Sequence, residues 1–358
     1  MTSTPKRTSN GNGAPKPAHS NKKRINLALQ GGGAHGAFAW GVLDRLLEED
    51  EIEIDGIVGT SAGAMNAAAT AYGISLGGNA GAREVLRTFW KKTSDAAKFS
   101  PMQAPLWEKM MNPKSGSLEH SPGYLMMDFL SRMFSPYELN PTNQNPLRKL
   151  LAEVIDFDVI HKAAKVKLFI CASNVMTGRI KIFDKQHVTV DAVLASACLP
   201  FMFQAVEING EHFWDGGYMG NPPLYPLFTS TNTRDILIVQ LNPINIPKLP
   251  TTAPAILDRI NTLSFNSSLM REMRAIHFVT KLIDGGFDDG GKLARTFIHT
   301  IDGEELLGHL GVSSKINADW DFLMHLFDNG RQAGERFLGA HWAKIGHESS
   351  TNLEEKFF

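Results

Sequence analysis

The stretch GIVGTSAGAMNAAATAY, residues 56–72, places a serine between an apolar run and a segment rich in alanine. Ile57-Val58 predicts a short buried strand, and Ala64 to Tyr72 predicts a helix whose small side chains allow close packing on a sheet. Gly59-Thr60-Ser61-Ala62-Gly63 between them matches G-x-S-x-G, a sharp turn that exposes the serine hydroxyl. The same string also occurs in purely structural turns, but the strand before it and the helix after it favour an exposed nucleophile.

The segments around this stretch repeat the same order of strand and helix. Ile25 to Gln30 predicts a strand, and Ala37 to Glu49 predicts a helix with apolar residues at helical spacing. An order of strand, helix, strand, helix is typical of an α/β fold with a mostly parallel sheet covered on both faces. Further strands are predicted at 166–172, 179–183, 236–241 and 296–301, a hairpin around Asn209-Gly210, and helices at 191–198, within 254–283 and within 320–345.

Composition limits the classes of function. The chain has 358 residues, of which 43% are hydrophobic and 20% charged, so it can bury a large core. Its formal net charge of -1 argues against nucleic acid as the main partner, because phosphate binding needs a basic surface. Cys171 and Cys198 lie in apolar surroundings and predict buried free thiols. No metal-ligand spacing accompanies them, so we expect no metal and no cofactor.

The chain divides into two polar ends and one large domain. Residues 1–24 are polar and basic and predict a disordered tail, either simply solvated or in contact with anionic lipid. No signal peptide or membrane-spanning run is evident, which predicts a cytoplasmic protein with peripheral membrane contact as an option. Residues 25–345 predict a single domain and 346–358 a polar tail. Residues 95–145, rich in proline and methionine, are either a lipid-facing cap or an ordinary insertion.

The segment Gly31 to Gly36 matches G-x-G-x-x-G, which two kinds of site share. A dinucleotide loop would require an acid at the end of the second strand, but Asp55 precedes that strand. A glycine turn at a helix N-terminus can instead point bare amides at negative charge. The candidate oxyanion donors are therefore the amides of this loop, together with the amide that follows the serine: Gly31, Gly32, Gly33 and Ala62.

Asp215-Gly216-Gly217 is the third candidate motif. An aspartate before two glycines usually forms only a turn. A serine nucleophile, however, needs a general base, because its hydroxyl is a poor nucleophile at neutral pH. Histidine is the usual base, and three histidines follow Asp215 in the chain order of an α/β-hydrolase triad, namely His277, His299 and His309. His35 lies inside the glycine turn and is predicted to be a loop residue.

Together the three motifs resemble the patatin-like phospholipase family, and Ala195-Ser196-Ala197-Cys198-Leu199-Pro200 is similar to the family's pattern ahead of the aspartate. The resemblance covers about residues 25 to 245. It implies a three-layer α/β/α sandwich, a Ser61–Asp215 dyad without histidine, and an oxyanion loop at Gly31–Gly36. The glycines that complete these motifs are Gly36, Gly59, Gly63, Gly216 and Gly217.

The resemblance also implies an activity. A phospholipase A or lysophospholipase would cleave fatty acyl esters of membrane or micellar phospholipid through an acyl-enzyme on Ser61. An acyltransferase with the same dyad is the first alternative, since an alcohol can replace water in the second step. A non-catalytic lipid-binding protein on the same fold, and a dinucleotide-dependent oxidoreductase, are the others.

Overall fold

A computed structural model describes residues 22–98, 100, 103–105, 107, 111, 114–288, 290 and 293–358. Within these residues, eight strands form one sheet: β1 Lys23–Leu29, β2 Ile52–Thr60, β3 Lys167–Asn174, β4 Ile180–Asp184, β5 Val206–Ile208, β6 Glu211–Asp215, β7 Asp235–Gln240 and β8 Phe297–Asp302. Their order is β5-β6-β3-β2-β1-β7-β8, and β4 also pairs with β3.

The central strands run parallel. β1 lies between β2 and β7, with β3 beyond β2 and β8 beyond β7, and all four of these pairings are parallel. The pairings of β4, β5 and β6 are antiparallel. The predicted mostly parallel sheet is therefore confirmed. Because parallel strands share one carboxyl edge, the turns that follow β1 and β2 lie side by side.

Helices cover both faces of the sheet. Their bounds are α1 Gly36–Leu46, α2 Ala62–Ala97, α3 Pro122–Met133, α4 Pro136–Leu139, α5 Pro146–Val154, α6 Phe157–Ala163, α7 Val190–Ser196, α8 Tyr225–Ser230, α9 Ala253–Asp284, α10 Glu304–Leu307, α11 Trp320–His341 and α12 Leu353–Phe357. Short 3-10 turns occupy Gly33–His35, Gly216–Tyr218, Val312–Ile316 and Trp342–Lys344.

Alternate residues of the strands supply two separate apolar cores, which makes the fold a three-layer α/β/α sandwich. Leu27 of β1 packs in the core beneath α1, α2 and α11. Its neighbour Ala28 points to the other core, beneath α8 and α9. This alternation follows from the two-residue period of a strand, and it confirms the predicted fold class.

Several boundaries differ from the sequence prediction. Residues 1–21 of the predicted tail lie outside the described residues, and β1 begins at Lys23, before the expected Ile25. α2 extends far beyond Tyr72 and is broken at Gly77 and Gly78, whose backbone angles are not helical. Patterning missed this extension because the apolar periodicity weakens after the alanine-rich segment.

The predicted polar tail, 346–358, is instead part of the folded body. Thr351 donates its backbone N–H to the carbonyl of Ile298 in β8, and Ser349 accepts a hydrogen bond from the backbone N–H of the same residue. Phe357 in α12 is buried in the core beneath α9. The polar composition concealed this docking, because the apolar contact comes from a few side chains, Phe357 and the partly buried Leu353, in an otherwise polar segment.

Part of the insertion at 95–145 is also described. It contains α3 and α4, while 99, 101–102, 106, 108–110 and 112–113 lie outside the described residues. Leu118 is fully buried, and its N–H donates to the Ser313 hydroxyl at 3.0 Å. Among the helices of the described residues, none is both long and apolar enough to cross a bilayer.

Replacing Gly330 with alanine should destabilise the whole fold. Gly330 lies where α11 crosses α1, and an added Cβ would overlap the carbonyl oxygen of Phe38. We expect Gly330→Ala to lower the free energy of unfolding by about 1–3 kcal/mol, as overpacked cores do. Denaturant unfolding measures this loss. The control is Gly339→Ala on the same helix, where an added Cβ meets nothing within 4 Å and should be neutral or stabilising. Equal effects of the two changes would contradict the packing described here.

Candidate active site

Ser61 occupies the sharp turn between β2 and α2. Its backbone angles are φ 56° and ψ -123°, a left-handed conformation that a residue other than glycine adopts only under constraint. Two hydrogen bonds hold the turn: the Ser61 N–H donates to Ser196 Oγ at 2.9 Å, and Thr60 Oγ1 donates to the carbonyl of Gly220 at 2.7 Å. Since α2 begins at Ala62, the amide of Ala62 lies at the helix N-terminus and has no acceptor within the helix.

The glycines of the three motifs lie where a side chain would collide with backbone or with a neighbouring Cβ. A Cβ added at Gly59 would overlap the carbonyl of Gly63, and one added at Gly63 would overlap the carbonyl of Leu29. One at Gly36 would lie 2.8 Å from Ala62 Cβ. A Cβ added at Gly216 would overlap the carbonyl oxygen of Cys171, and one added at Gly217 would lie 3.0 Å from Asp215 Oδ1. These contacts give the motif glycines a packing reason that spacing alone did not reveal.

The glycine loop after β1 lies directly against Ser61. A Cβ added at Gly31 would be 2.6 Å from Ser61 Cβ. However, the Gly31 N–H donates to Asn221 Oδ1 at 2.7 Å, so this amide is already used. Of the candidate oxyanion donors, the amides of Gly32, Gly33 and Ala62 remain, because the Gly31 amide is bonded to Asn221 instead.

A buried network of amide side chains fixes the same loop. Gln30 Oε1 accepts the backbone N–H groups of Leu241 and Asn242 at 2.9 and 3.0 Å. Asn242 Nδ2 donates to the Gly31 carbonyl at 2.8 Å. Gln30 Nε2 donates to the carbonyl of Asn221 at 3.1 Å. Both polar groups of the Gly31 backbone are therefore held by asparagines, a role that the sequence analysis missed because these residues belong to no motif.

Gly31→Ala is expected to impair catalysis more than folding. The added methyl group would push the loop away from Ser61, because Thr60 O and Ser61 Cβ lie only 2.9 and 2.6 Å from its position. A misplacement of about 1 Å costs roughly 10²-fold in rate, so kcat/KM on a soluble ester should fall by about that factor. Thermal unfolding monitored by circular dichroism provides the check on folding. Wild-type kcat/KM in this variant would show that the loop does not contribute to the site.

Asp215 ends β6 and is fully buried. Its N–H donates to the carbonyl of Cys198 at 2.8 Å, and its carbonyl accepts the Ser173 hydroxyl at 2.8 Å, so the backbone is held on both sides. Carboxylate Oδ1 accepts the Gly217 N–H at 2.7 Å. Among the described residues, Oδ2 has no partner at hydrogen-bond length. The free oxygen is the one available to receive a proton.

The pKa of the Asp215 carboxylate is raised toward neutral pH. Burial raises its pKa to about 7, while the Gly217 N–H and the nearby Ser61 hydroxyl act in the opposite direction. The Ser61 hydroxyl is thus near enough to interact with the carboxylate, although not at hydrogen-bond length. Desolvation that raises a carboxyl pKa toward the working pH makes it a better general base.

Of the three histidines considered as alternative bases, two pair with acids and one is exposed. His277 pairs with Glu354 at 3.1 Å, His299 pairs with Asp235 at 3.0 Å, and His309 is exposed. His35 Nε2 lies 2.7 Å from Ser314 Oγ, and burial lowers its pKa to about 3, so its ring is neutral. Within the described part of the chain, no histidine is hydrogen-bonded to Ser61 or Asp215. The geometry therefore favours an aspartate base.

A cavity of about 810 Å³ lies at the opposite edge of the sheet, lined by residues that include Lys23, Arg234, Asp235 and Trp342. Lys23, Arg234 and Asp235 lie at the amino ends of β1 and β7, and no residue of the three motifs is among those that line the cavity. The candidate active site is therefore separate from this cavity.

A serine on a strand–turn–helix at the carboxyl edge of a mostly parallel sheet is an arrangement typical of α/β serine hydrolases. The family model "Patatin-like phospholipase" matches residues 27–228, more than half of the chain. The chain belongs to the patatin-like phospholipase family, and this membership supports lipid acyl hydrolase activity.

Comparison with solved structures finds similar proteins at low identity. VipD from Legionella pneumophila is 15% identical with a TM-score of 0.45, and the match covers 90% of this chain and 67% of that one. ExoU in its complex with SpcU, from Pseudomonas aeruginosa, is 17% identical with a TM-score of 0.31, and the match covers 69% of this chain and 51% of that one. The chain thus spans about half the length of ExoU. No curated protein sequence matches.

Proposed function

We propose that the protein is a serine lipid acyl hydrolase that cleaves fatty acyl esters of phospholipids or lysophospholipids through Ser61 and Asp215. The observation that carries this proposal is a constrained, buried serine close to a buried carboxylate, Asp215, whose Oδ2 has no hydrogen-bond partner among the described residues. Family membership supplies the lipid class of the substrate.

In the first step, Ser61 Oγ attacks the ester carbonyl carbon as its proton passes to Asp215. The carbonyl electrons move onto oxygen, and the amides of Gly32, Gly33 and Ala62 stabilise that negative charge. The intermediate then collapses: the ester C–O bond breaks, and Asp215 returns the proton to the departing alcohol oxygen of the glycerol backbone. An acyl-enzyme on Ser61 remains.

In the second step, water takes the place of the alcohol. Asp215 accepts a proton from the water as the water oxygen bonds to the acyl carbon. The same oxyanion donors stabilise the second intermediate. The Ser61–acyl bond breaks, Ser61 Oγ regains a proton from Asp215, and the fatty acid leaves. A carboxylate can serve in both directions because burial holds its pKa at about 7.

Hydrolysis of phosphatidylcholine labelled in one acyl chain tests this proposal. We expect labelled fatty acid and lysolipid in equal amounts, with the labelled position identifying the ester that is cleaved. Adding glycerol as an acceptor distinguishes hydrolysis from transfer. Labelled glyceride as the main product would show that an alcohol takes the place of water in the second step. Binding of lipid without any product would contradict an enzymatic role.

A further inference from the structure

Gly220 and Asn221, two adjacent residues after the aspartate motif, contact all three motifs of the candidate site. The Gly220 N–H donates to the carbonyl of Gly216, within the aspartate motif, at 2.8 Å. The Gly220 carbonyl accepts the hydroxyl of Thr60, in the serine turn, at 2.7 Å. Asn221 Oδ1 accepts the N–H of Gly31, in the glycine loop, at 2.7 Å. One dipeptide therefore forms hydrogen bonds to the aspartate, serine and glycine motifs.

The sheet joins the three motifs less directly than this dipeptide does. The glycine loop follows β1, the serine turn follows β2, and the aspartate ends β6. Because β3 lies between β2 and β6, the backbone ladder links the serine to the aspartate only through a third strand. Loops at the ends of strands are also more mobile than the strands themselves. The hydrogen bonds of Gly220 and Asn221 therefore restrain the three motifs relative to one another at the edge where the sheet ends.

Asn221 is itself held in a fixed position. The residue is fully buried. Its backbone N–H donates to Ser268 Oγ of α9 at 3.2 Å, and its carbonyl accepts Gln30 Nε2 at 3.1 Å. Both backbone polar groups are thus bonded to parts of the fold that are distant in sequence. Because the backbone is restrained on both sides, the side-chain oxygen is a fixed acceptor for the Gly31 amide.

The acceptor matters because the next two amides of the loop are candidate oxyanion donors. Asn221 and Asn242 hold the N–H and the carbonyl of Gly31, and Gly32 and Gly33 follow at once. Without the Asn221 oxygen, the Gly31 amide would be a buried donor without its partner, and a glycine backbone turns readily toward another acceptor. Stabilisation of an oxyanion depends on donors that are already in place before the reaction. Loss of this one acceptor should therefore misplace the donors that follow it.

We propose that Asn221 is a positioning residue for ester hydrolysis, and that it fixes the oxyanion loop relative to Ser61 and Asp215. It acts through the Gly31 amide and not by contact with the ester. The adjacent Gly220 bonds the other two motifs, so the dipeptide keeps the donors, the nucleophile and the base in one arrangement. This inference rests on the proposed function, because the position of an oxyanion loop affects only a reaction that forms an oxyanion.

Asn221→Ala removes the acceptor and tests the proposal in the full-length protein. We expect kcat on a soluble short-chain ester to fall by about 10²-fold, the usual effect of a misplacement of roughly 1 Å. KM should change little, because oxyanion donors act mainly in the transition state. Asn221→Asp has nearly the same shape and keeps an oxygen acceptor in either protonation state, so its kcat should stay well above that of Asn221→Ala. Equal kcat values for the two variants would contradict the role of the acceptor.

Asn26→Ala is the matched control. Asn26 of β1 is fully buried, as Asn221 is, and its Nδ2 donates to Thr231 Oγ1 at 2.9 Å and to the carbonyl of Thr233 at 3.1 Å. Among the described residues, each of the two asparagines leaves one side-chain atom without a hydrogen-bond partner. Asn26→Ala should lower the melting temperature at least as much as Asn221→Ala, yet leave kcat unchanged where both proteins are folded. An equal fall of kcat in the two variants would assign the effect to lost stability and overturn the proposal.

A double variant tests whether the dipeptide connects the serine turn to the glycine loop. Thr60→Val removes the hydroxyl that donates to the Gly220 carbonyl, and it should also lower kcat. If Gly220 and Asn221 form one connection, either change interrupts it. Thr60→Val combined with Asn221→Ala should then lower kcat by less than the product of the two single effects. An effect equal to that product would show that the two hydrogen bonds act independently and would contradict the connection.

Hydrogen exchange followed by mass spectrometry adds a measurement that needs no turnover. Peptides covering residues 30–36 should exchange faster in Asn221→Ala than in the wild type, and unchanged in Asn26→Ala, because exchange reports local opening. Wild-type kcat in Asn221→Ala, with or without faster exchange, would overturn the proposal. If Ser61→Ala is inactive in the same assay, that result leaves the proposed function in place. Hydrolysis by Ser61→Ala at the wild-type rate would instead reject the proposed function, whatever Asn221→Ala does.

Discussion

Ser61→Ala should reduce ester hydrolysis by more than about 10³-fold, because the change removes the atom that forms the acyl-enzyme. The substitution keeps the Cβ atom and the backbone hydrogen bond from residue 61 to Ser196 Oγ. Folding is therefore expected to be retained, and alanine at a left-handed position adds only a local strain already present in the native turn. Measuring kcat/KM on a soluble ester, together with thermal unfolding, separates the two effects.

A fitting control for this change is Ser173→Ala. Ser173 is also buried near the site and donates its hydroxyl to the Asp215 carbonyl at 2.8 Å, but it lies on β3 and not at the turn. Ser173→Ala should remove one buried hydrogen bond and about 1 kcal/mol of stability. It should lower activity far less than Ser61→Ala does. If Ser61→Ala kept wild-type activity, the nucleophile would have to be another residue.

Asp215→Asn should be the second severe change, lowering kcat/KM by about 10²–10⁴-fold as loss of a general base does. The amide has nearly the shape of the carboxylate and can still accept the Gly217 N–H. The loss would therefore report on proton transfer and not on collapse of the turn. Full activity in this variant would show that a base other than Asp215 serves Ser61.

The same carboxylate sets the expected pH dependence. Burial raises its pKa to about 7, and a base must be deprotonated to act, so kcat/KM should fall about tenfold per pH unit below that value and level off above it. Glu272 requires a control, because burial raises its pKa to about 7 as well. If the fall in kcat/KM below about pH 7, the acidic limb of the profile, belongs to Asp215, Glu272→Gln should still show it. Disappearance of the limb in the Glu272 variant would assign it there.

Asp215→Asn, which should lose activity, should gain stability above neutral pH. The folded-state pKa of Asp215, about 7, lies above the value of about 3.9 for a free aspartate. The native state therefore gains from holding the proton at low pH, and this contribution is lost as pH rises through about 7. Asp215→Asn should be more stable than wild type at pH 8, and this advantage should vanish near pH 4. An equal melting temperature at pH 8 would contradict the raised pKa.

The sequence was sufficient for the central layers of the fold. The apolar runs of β1 and β7 and the alanine-rich start of α2 have the periodicities that define strands and helices, and they lie where the patterns predict. The turn at Asn209-Gly210 likewise takes the expected form, with positive φ at both residues. Local conformational preference and burial act in the same direction in these segments, which explains the agreement.

Other features depend on contacts far apart in the chain, and the sequence offers no local signal for them. The Gly31 amide is taken by Asn221, 190 residues away, so its loss as an oxyanion donor could not be foreseen. The packing of residues 346–358 against β8 depends on the burial of Phe357 in the core beneath α9. The raised pKa of Asp215 is equally a property of the folded site, since burial is its main cause.

Mass spectrometry of the intact protein during turnover of a slow ester tests the central claim most directly. We expect wild-type protein to gain the mass of one acyl group, and peptide mapping to place that group on Ser61. The acyl-enzyme should not form in Ser61→Ala, and in Asp215→Asn it should form far more slowly. An acyl group on a different residue, or turnover by Ser61→Ala at the wild-type rate, would contradict the assignment of Ser61 as the nucleophile.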